Sequence, residues 1–490
     1  MVTRIIMTAV MLALPFVTVA EAEGPGRGMS ISAPPFGVVS PAVTIQVTQT
    51  PGAPTPPASG VRTEAAGSEP LLTLDEAVSI ALKDNRGVRT ATLEVGRAGD
   101  RVGAAKTRRY PSIHVGAAGD YPLTPLTLTF FQGDFGTFPG IGPVPARETT
   151  LSTQNLMAAA SAAIIQPLAR QYRIGLTVDQ LGVAQDIARE DLRAQQQAVV
   201  NDVKRAYYLV LQAQSAREAV LEAVRSLREL DRVVSAQLAE RKALKADSLD
   251  VKTRLAQADT DAFAASNDLA TRKEQLNHIM GRDLNVPFRV SPVPEATKFE
   301  TDLEAAQAQA IRQRPELTRS ELQVRFADYD LRIKKSEYIP DVDLVFRYLH
   351  PVTSDRLPQN ITFAGIEMSW ELFDWGRKRQ ESAEREKAMQ QAQTTAAEMR
   401  SRITIEVNAR YRKLEEAKSR LQVSELGLEA ARERLQVTTK RYAERTAMLA
   451  DVLQSQAAVA SANDQYQVAL LSFWTARADF ERSMGGDAAR

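Results

Sequence analysis

Ala239-Glu240-Arg241-Lys242-Ala243-Leu244-Lys245-Ala246-Asp247-Ser248-Leu249 recurs 204 residues later as Ala443-Glu444-Arg445-Thr446-Ala447-Met448-Leu449-Ala450-Asp451-Val452-Leu453. The same offset of 204 aligns Val203 with Val407, Tyr207 with Tyr411, and Met280-Gly281 with Met484-Gly485. Upstream the offset is 229, pairing Leu74 with Leu303, Ala77 with Ala306, Ala81 with Ala310, Leu93 with Leu322, Val95 with Val324, Lys106 with Lys335 and Pro111 with Pro340. The drop from 229 to 204 gives the first half 25 extra residues between Pro111 and Pro167. Two constant registers over this length make the chain a tandem duplication.

Outward from the quoted stretch the sequence is helical. Arg170 to Glu240 contains no proline and only Gly175 and Gly182. A continuous helix of that length would be on the order of 100 Å long. Leu192, Val199, Ala206, Ala213, Val220, Leu227 and Val234 recur every seventh residue, as do Val407, Leu414, Leu421, Leu428, Leu435 and Tyr442. These are coiled-coil seams, and helices this long require an elongated body.

Each half is predicted to run helix, strand, loop, strand, very long helix, turn, long helix. Thr73 is the expected N-cap of the opening helix, with Asp75 and Glu76 in its first turn. Pro111 and Pro340 end the opening helices. After Pro340, Val342, Leu344, Phe346 and Tyr348 alternate with Asp341, Asp343, Val345 and Arg347; after Pro111, Ile113, Val115 and Ala117 oppose Ser112, His114 and Asp120. The expected strands lie near Ser112–Tyr121, Leu156–Ile165, Asp341–Leu349 and Ile361–Trp370. Such alternation fits both a membrane β-barrel and a soluble sheet with one wet face. Between the first two strands, Tyr121 to Thr153 forms a long loop carrying Phe130, Phe131, Phe135 and Phe138. Loops of that length are functional, disordered or exposed.

The N-terminus has the form of an address. Arg4 precedes an apolar run from Ile5 to Val19, and Ala20-Glu21-Ala22 offers an A-x-A site, so residues 1–22 are expected to be a signal peptide cleaved after Ala22. Residues 23–70, with nine Pro and seven Gly, form an expected flexible linker. The first repeat then spans 71–281, an inter-repeat linker 282–302, the second repeat 303–485 and a short tail 486–490.

The chain's 490 residues are 44% apolar and 25% charged, with 61 Lys and Arg against 60 Asp and Glu. That balance gives no sign of a nucleic-acid partner. With no cysteine, disulfides, thiolate metal sites, thiol nucleophiles and thioether lipidation are all excluded. The three histidines, His114, His278 and His350, are far apart and are assigned no chemistry. Neither a nucleophile triad nor a phosphate loop is present; Gly24-Pro25-Gly26-Arg27-Gly28 lacks the strand–helix context of a nucleotide site. The expectation is a protein that is no enzyme and has no cofactor. Four strands cannot seal a barrel, and open edges in hydrocarbon would strand backbone groups. If these strands span a membrane, several copies must pool them into eight, twelve or sixteen, with the helices continuing the tube on one side. That geometry describes a conduit.

From Leu71 to Gly485 the sequence resembles the outer membrane efflux family, the TolC-like proteins. The resemblance is carried by Leu74-Asp75-Glu76-Ala77 with Ala81, by Tyr110-Pro111 and Ile339-Pro340, and by Glu371-Leu372-Phe373-Asp374-Trp375-Gly376-Arg377. The last is similar to the family's turn into the long helix, with glutamate in place of proline; Gln166-Pro167-Leu168 keeps only its front. Tyr442 to Leu453 is similar to the family's hairpin tip. The resemblance implies an α+β membrane protein: a homotrimer whose twelve-stranded β-barrel, four strands per chain, sits in outer membrane lipid and continues as an α-helical barrel in the periplasm. It implies docking onto a periplasmic adaptor and an inner-membrane transporter, as the exit duct of a tripartite efflux or type I secretion system. The same resemblance makes Asp247, Tyr442 and Asp451 candidate gate residues, with Arg445 a substitute for the family's basic latch, whose position here is Ala447. Arg241, Leu244, Ala447 and Met448 become candidate adaptor contacts. Family tips often carry glycine where Arg241 and Arg445 stand, which puts the usual adaptor contact in doubt. The competing account of the two aspartates is that both are helix N-caps after the turn.

Two other classes compete with the duct. A periplasmic adaptor also carries helical hairpins, but it should have a lipoyl-like half-motif pair and a single hairpin. A structural coiled-coil protein of the envelope would leave the strand pairs unexplained.

Overall fold

The computed structural model describes residues 69–121, 123, 126–134, 136–152, 157–240, 244–292, 302–352, 358–444, 446–447 and 449–486. The signal peptide and nearly all of the linker expected from the sequence lie outside these residues. No helix among the described residues is long and apolar enough to cross a membrane.

The body begins with a short strand, β1 (Leu71–Leu72), and helix α1 (Leu74–Asp84). Thr73 caps α1 as expected. Its hydroxyl accepts from the Glu76 amide at 3.3 Å and the Glu76 carboxylate accepts from the Thr73 amide at 2.9 Å, a reciprocal capping box. The opening helix does not run unbroken to Pro111, as the sequence reading had it. It stops at Asn85, whose side chain accepts from the amides of Gly87 and Val88 and starts a second helix, α2 (Arg86–Thr107). Two unbonded amides at the head of α2 need that acceptor, and a local asparagine supplies it better than one more helical turn.

Strands β2 (Ser112–Asp120) and β7 (Met157–Pro167) form the first pair. The loop between them is not structureless. Strand β3 (Leu126–Phe130) pairs with β6 (Arg147–Ser152), and within them β4 (Thr137–Phe138) pairs with β5 (Gly142–Pro143). The insertion of the first repeat is therefore a two-stranded ribbon, turned by glycines at φ between +84° and +95°.

Helix α3 (Arg170–Ala239) has 70 residues. At 1.5 Å per residue it is about 105 Å long. Helix α4 (Lys245–Met280) returns beside it. Strand β8 (Arg289–Val290) pairs in parallel with β1. The second repeat repeats the plan with α5 (Leu303–Gln313), α6 (Pro315–Lys335), β9 (Asp341–Pro351), β10 (Ile361–Ser369), α7 (Arg377–Ala443) and α8 (Leu449–Ser483). The break between α5 and α6 falls at Arg314, which is 229 residues beyond Asn85, and Pro315 there occupies the first helical position. Both α2 and α6 end several residues ahead of the prolines expected to stop them.

Two cores follow from the two repeats. Val203, Tyr207 and Val210 of α3 pack with Ala77 and Ala81 of α1; Ile403, Val407 and Leu414 of α7 pack with Ala306 and Ala310 of α5. Small alanines on the short helices allow close approach to the long ones. Each fully buried Val or Leu contributes about 1.5–3 kcal/mol. Trp474 of α8 packs against both clusters and joins them. The seam residues Val199, Ala206, Ala213, Val407, Leu414, Leu421 and Leu428 are buried. Val203, Val210 and Val224 bury the interleaved heptad position, which the seven-residue count alone did not name.

Candidate functional site

Strands β2, β7, β9 and β10 form one four-stranded antiparallel sheet in the order β10-β9-β7-β2. Directly paired residues share a face, so the register sorts the side chains. Ile113, Ile164, Phe346 and Ala364 fall in one row, and Val115, Ala162, Tyr348 and Thr362 in the next. The opposite face carries His114, Ala163, Arg347 and Phe363, and then Asp343 and Glu367. One face is thus largely apolar and the other mixed but richer in charge across all four strands. Val115 (81%) and Ile366 (71%) of the apolar face are exposed in the single chain. β2 and β10 are the sheet's two edges.

Ion pairs lie on the polar side. Arg347 meets Glu367 at 2.7 Å within the sheet. Arg170 donates two hydrogen bonds to Asp343, the shorter at 2.8 Å, and Arg173 approaches Asp341 at 3.3 Å. These two arginines stand in the first turn of α3, so the sheet is locked to the start of the long helix. The second junction, Glu371 to Arg377, is built by Asp374. Its carboxylate accepts from the amides of Lys378 (2.9 Å) and Gly376 (3.0 Å), and the Lys378 amide foremost holds its carboxyl below the ordinary range. Trp375 is held at φ +54° beside Gly376 at +85°. A non-glycine residue in the left-handed region marks a turn fixed by its surroundings. The glutamate replacing the family's proline has a partner, since Glu371 pairs with Arg377 at 2.6 Å.

At the far end of the long helices are the tips. Asp247 is the third residue of α4 and Asp451 the third residue of α8. Neither is an N-cap. The amide of Ser248 donates to the carbonyl of Leu244 at 3.3 Å, which puts the cap of α4 at Leu244. The capping account of the aspartates is therefore corrected: both residues lie inside the first turn of their helices, past the cap position. Asp451 is exposed. Just beyond it, the Ser455 hydroxyl lies 2.9 Å from the Asp451 carbonyl and 3.3 Å from the Thr438 hydroxyl of α7, tying the two helices together. Tyr442 lies in the last turn of α7; Leu244 is exposed and Ala447 half-buried. Arg241, Arg445 and Met448 fall outside the described residues.

The sequence reading missed a charged network where the two repeats meet. Asp479 of α8 accepts from Asn201 at 3.0 Å and Arg410 at 3.2 Å. Glu481 meets Lys204 and Arg477, each at 2.9 Å. Burial alone would raise the Glu481 carboxyl, but those two cations hold it below the usual carboxylate range. In sequence these charges look like any solvated helix face, and only the pairing of α3 with α8 brings them together. Among the described residues no group of three His, Asp or Glu could hold a metal ion.

Known proteins share this architecture. The outer-membrane channel OprN is 18% identical, covers 85% of this chain and 91% of its own, and superposes with a TM-score of 0.66. The CmeC outer membrane channel of Campylobacter jejuni is 14% identical over 85% of this chain and 87% of its own, with a TM-score of 0.69. The MtrE outer membrane channel of Neisseria gonorrhoeae, in its open state, is 14% identical over 84% of this chain and 89% of its own, at 0.63. No curated protein sequence matches the chain significantly. The sequence profile of the outer membrane efflux protein family matches residues 77–282 and 307–486, one segment in each repeat. The adaptor and structural coiled-coil alternatives fall away, and the chain belongs to the outer membrane efflux protein family.

Proposed function

We propose that three copies of this chain assemble into an exit duct of the outer membrane, serving a tripartite efflux or type I secretion system. The carrying observation is the four-stranded sheet with one apolar face and two unpaired edges, running directly into helices of 70 and 67 residues. An open sheet cannot stand in hydrocarbon. Joining the β2 edge of one protomer to the β10 edge of the next removes every edge, and three copies pool twelve strands. The apolar face then meets lipid, the polar face lines the bore, and the helices continue the tube into the periplasm. A periplasmic adaptor and an inner-membrane transporter complete the path. Exposed Leu244 and half-buried Ala447, with Arg241 and Met448, form the adaptor contact at the tips, and Asp247, Tyr442, Asp451 and Arg445 the gate. The exported chain begins at Glu23 after cleavage of the signal peptide, carries no lipid, and has two repeats at 71–281 and 303–485.

Fractionation tests the assembly. The protein should sediment with outer membranes and run as a heat-resistant trimer, with an N-terminus at Glu23 and an unmodified mass. A monomer in the soluble periplasmic fraction would overturn it. Deleting the gene and comparing toxin sensitivity with the secreted proteome separates efflux from polypeptide secretion.

A further inference from the structure

The hollow between α3, α7 and α8 has a charge pattern that neither the fold nor the tip requires. It encloses about 300 Å³ and is lined in part by Arg205, Gln212, Arg410, Lys413 and Asp479. Arg410 lies 3.2 Å and Arg205 4.0 Å from the Asp479 carboxylate. Lys413 is exposed and has no ion-pair partner among the described residues. Three cations therefore face one carboxylate, and two of them already converge on it.

The position of the hollow follows from helix geometry. Val203 and Tyr207 are buried in the core that α3 shares with α1. At 3.6 residues per turn, Arg205 and Gln212 lie roughly 180–200° around α3 from Val203. Arg205 and Gln212 thus stand on the side of α3 away from α1, and they face α7 and α8 across the hollow. The repeat shows that its cations are dispensable for packing. At the offset of 204, Arg410 and Lys413 correspond to Ala206 and Leu209. Those residues line the matching hollow against α4, where Thr271 stands for Thr475 and Arg205, which lines both hollows, stands with Asp202, Glu274 and His278. Of the two hollows, only the one that α7 walls carries the cations Arg410 and Lys413.

Resting on the duct function, we propose that this groove is a binding site for carboxylate-bearing cargo, with Arg410 and Lys413 as its contacts and Asp479 orienting the Arg410 fork. Guanidinium groups match carboxylates geometrically, and a recessed cationic wall concentrates anions.

Calorimetric titration of citrate into the detergent-solubilised full-length protein tests it. The parent should bind, Lys413→Gln and Arg410→Gln should each weaken binding about threefold, as the loss of one exposed charge contact does, and Lys413→Glu should weaken it further. Lys413 is exposed, so its variants keep the fold. Absent citrate binding, or equal affinity in the parent and Lys413→Glu, overturns the groove. Planar-bilayer conductance of the same preparations is read separately: a parent that never conducts overturns the duct, whereas a conducting parent with unchanged citrate affinity across the variants overturns the groove alone.

Discussion

Gly281 lies directly against the carbonyl oxygen of Asp84, so close that a β-carbon on the glycine would sit 2.3 Å from that oxygen. The second repeat makes the same contact, with Gly485 against Gln313 and Arg314, where a β-carbon would meet backbone atoms at 2.8 and 2.9 Å. Both glycines have left-handed backbones, φ +78° and +76°. In each repeat the end of the hairpin closes onto the break in the opening helices. The break could not be an unbroken helix without losing the space into which the glycine fits.

Replacing either glycine by alanine should therefore destabilise the protein. Left-handed strain alone costs about 1–3 kcal/mol, and the backbone clash adds to it. Gly365→Ala, at a site with nothing within 4 Å, is the control. The apparent unfolding temperature of Gly281→Ala and Gly485→Ala should fall by several degrees more than that of the control.

The faces of the sheet give a second prediction. The chain has no cysteine, so single cysteines report without background. Cysteine at Leu344 or Ile366, paired on the apolar face, should react with lipid-phase reagents. Cysteine at Arg347 or Glu367, on the polar face, should react with aqueous ones. Uniform aqueous labelling would mean that these strands never enter a membrane.

The strands were legible in the sequence because period-two alternation has one physical cause, a sheet with unlike faces; all four appear within two residues of their expected bounds. The long helices were legible from the absence of proline and the seven-residue seams. The break at Asn85 was not, because a single asparagine within a helical pattern gives only a weak local signal, and its partner Gly281 lies far along the chain. The ribbon within 121–153 was hidden by short strands among glycines and prolines. The Asp479 and Glu481 network was hidden for a different reason: its members come from three helices distant in sequence.

Acid should act through Glu481. Its carboxyl is held below the ordinary value of 4.5 by Lys204 and Arg477 against the opposing effect of burial. A depressed folded-state value means that the stabilisation is present above the unfolded value and is lost as pH falls through the folded one. Glu481→Gln should therefore cost about 1–2 kcal/mol at neutral pH, as expected for a charge-assisted pair. The difference from the parent should shrink below pH 4.5 and vanish in stronger acid. Denaturant unfolding of both proteins at several pH values checks the sign; a difference that grows on acidification would contradict it.

Tyr207 tests the tie between the first repeat's core and its linker. Its buried hydroxyl lies 2.9 Å from the carbonyl of Leu72, the last residue of β1, and 2.8 Å from that of Ser291, just past β8. Burial pushes the phenol up to about 12. Tyr207→Phe leaves both carbonyls without that donor and should cost about 1–3 kcal/mol. Tyr411→Phe, at the equivalent position of the second repeat, should cost less, because among the described residues Tyr411 packs partly buried against Phe480 and its cluster without a hydrogen bond from its hydroxyl.

The gate prediction concerns Asp451, Asp247 and Tyr442 at the tips. Asp451 is exposed in the first turn of α8, and one turn further on the hydroxyl bridge between Ser455 and Thr438 ties α8 to α7. If the aspartate served only the helix, its value would be the modest macrodipole contribution, about 0.3–1 kcal/mol, and asparagine would leave conduction unchanged. In a trimer, three copies of Asp451 around a narrow axis would form an acidic ring, which attracts cations and repels anions. A Tyr442 hydroxyl donating to the Asp247 carboxylate of a neighbouring hairpin would add a charge-assisted latch. Planar-bilayer recordings distinguish the two roles. Asp451→Asn should shift the reversal potential in a salt gradient towards weaker cation preference, and Tyr442→Phe should raise the resting conductance. Asp247→Asn should raise it by a similar amount, and the Tyr442→Phe/Asp247→Asn double variant should add little, because both substitutions break one contact. Variants indistinguishable from the parent in selectivity and conductance would reduce both aspartates to helix-start residues and move the constriction elsewhere in the duct.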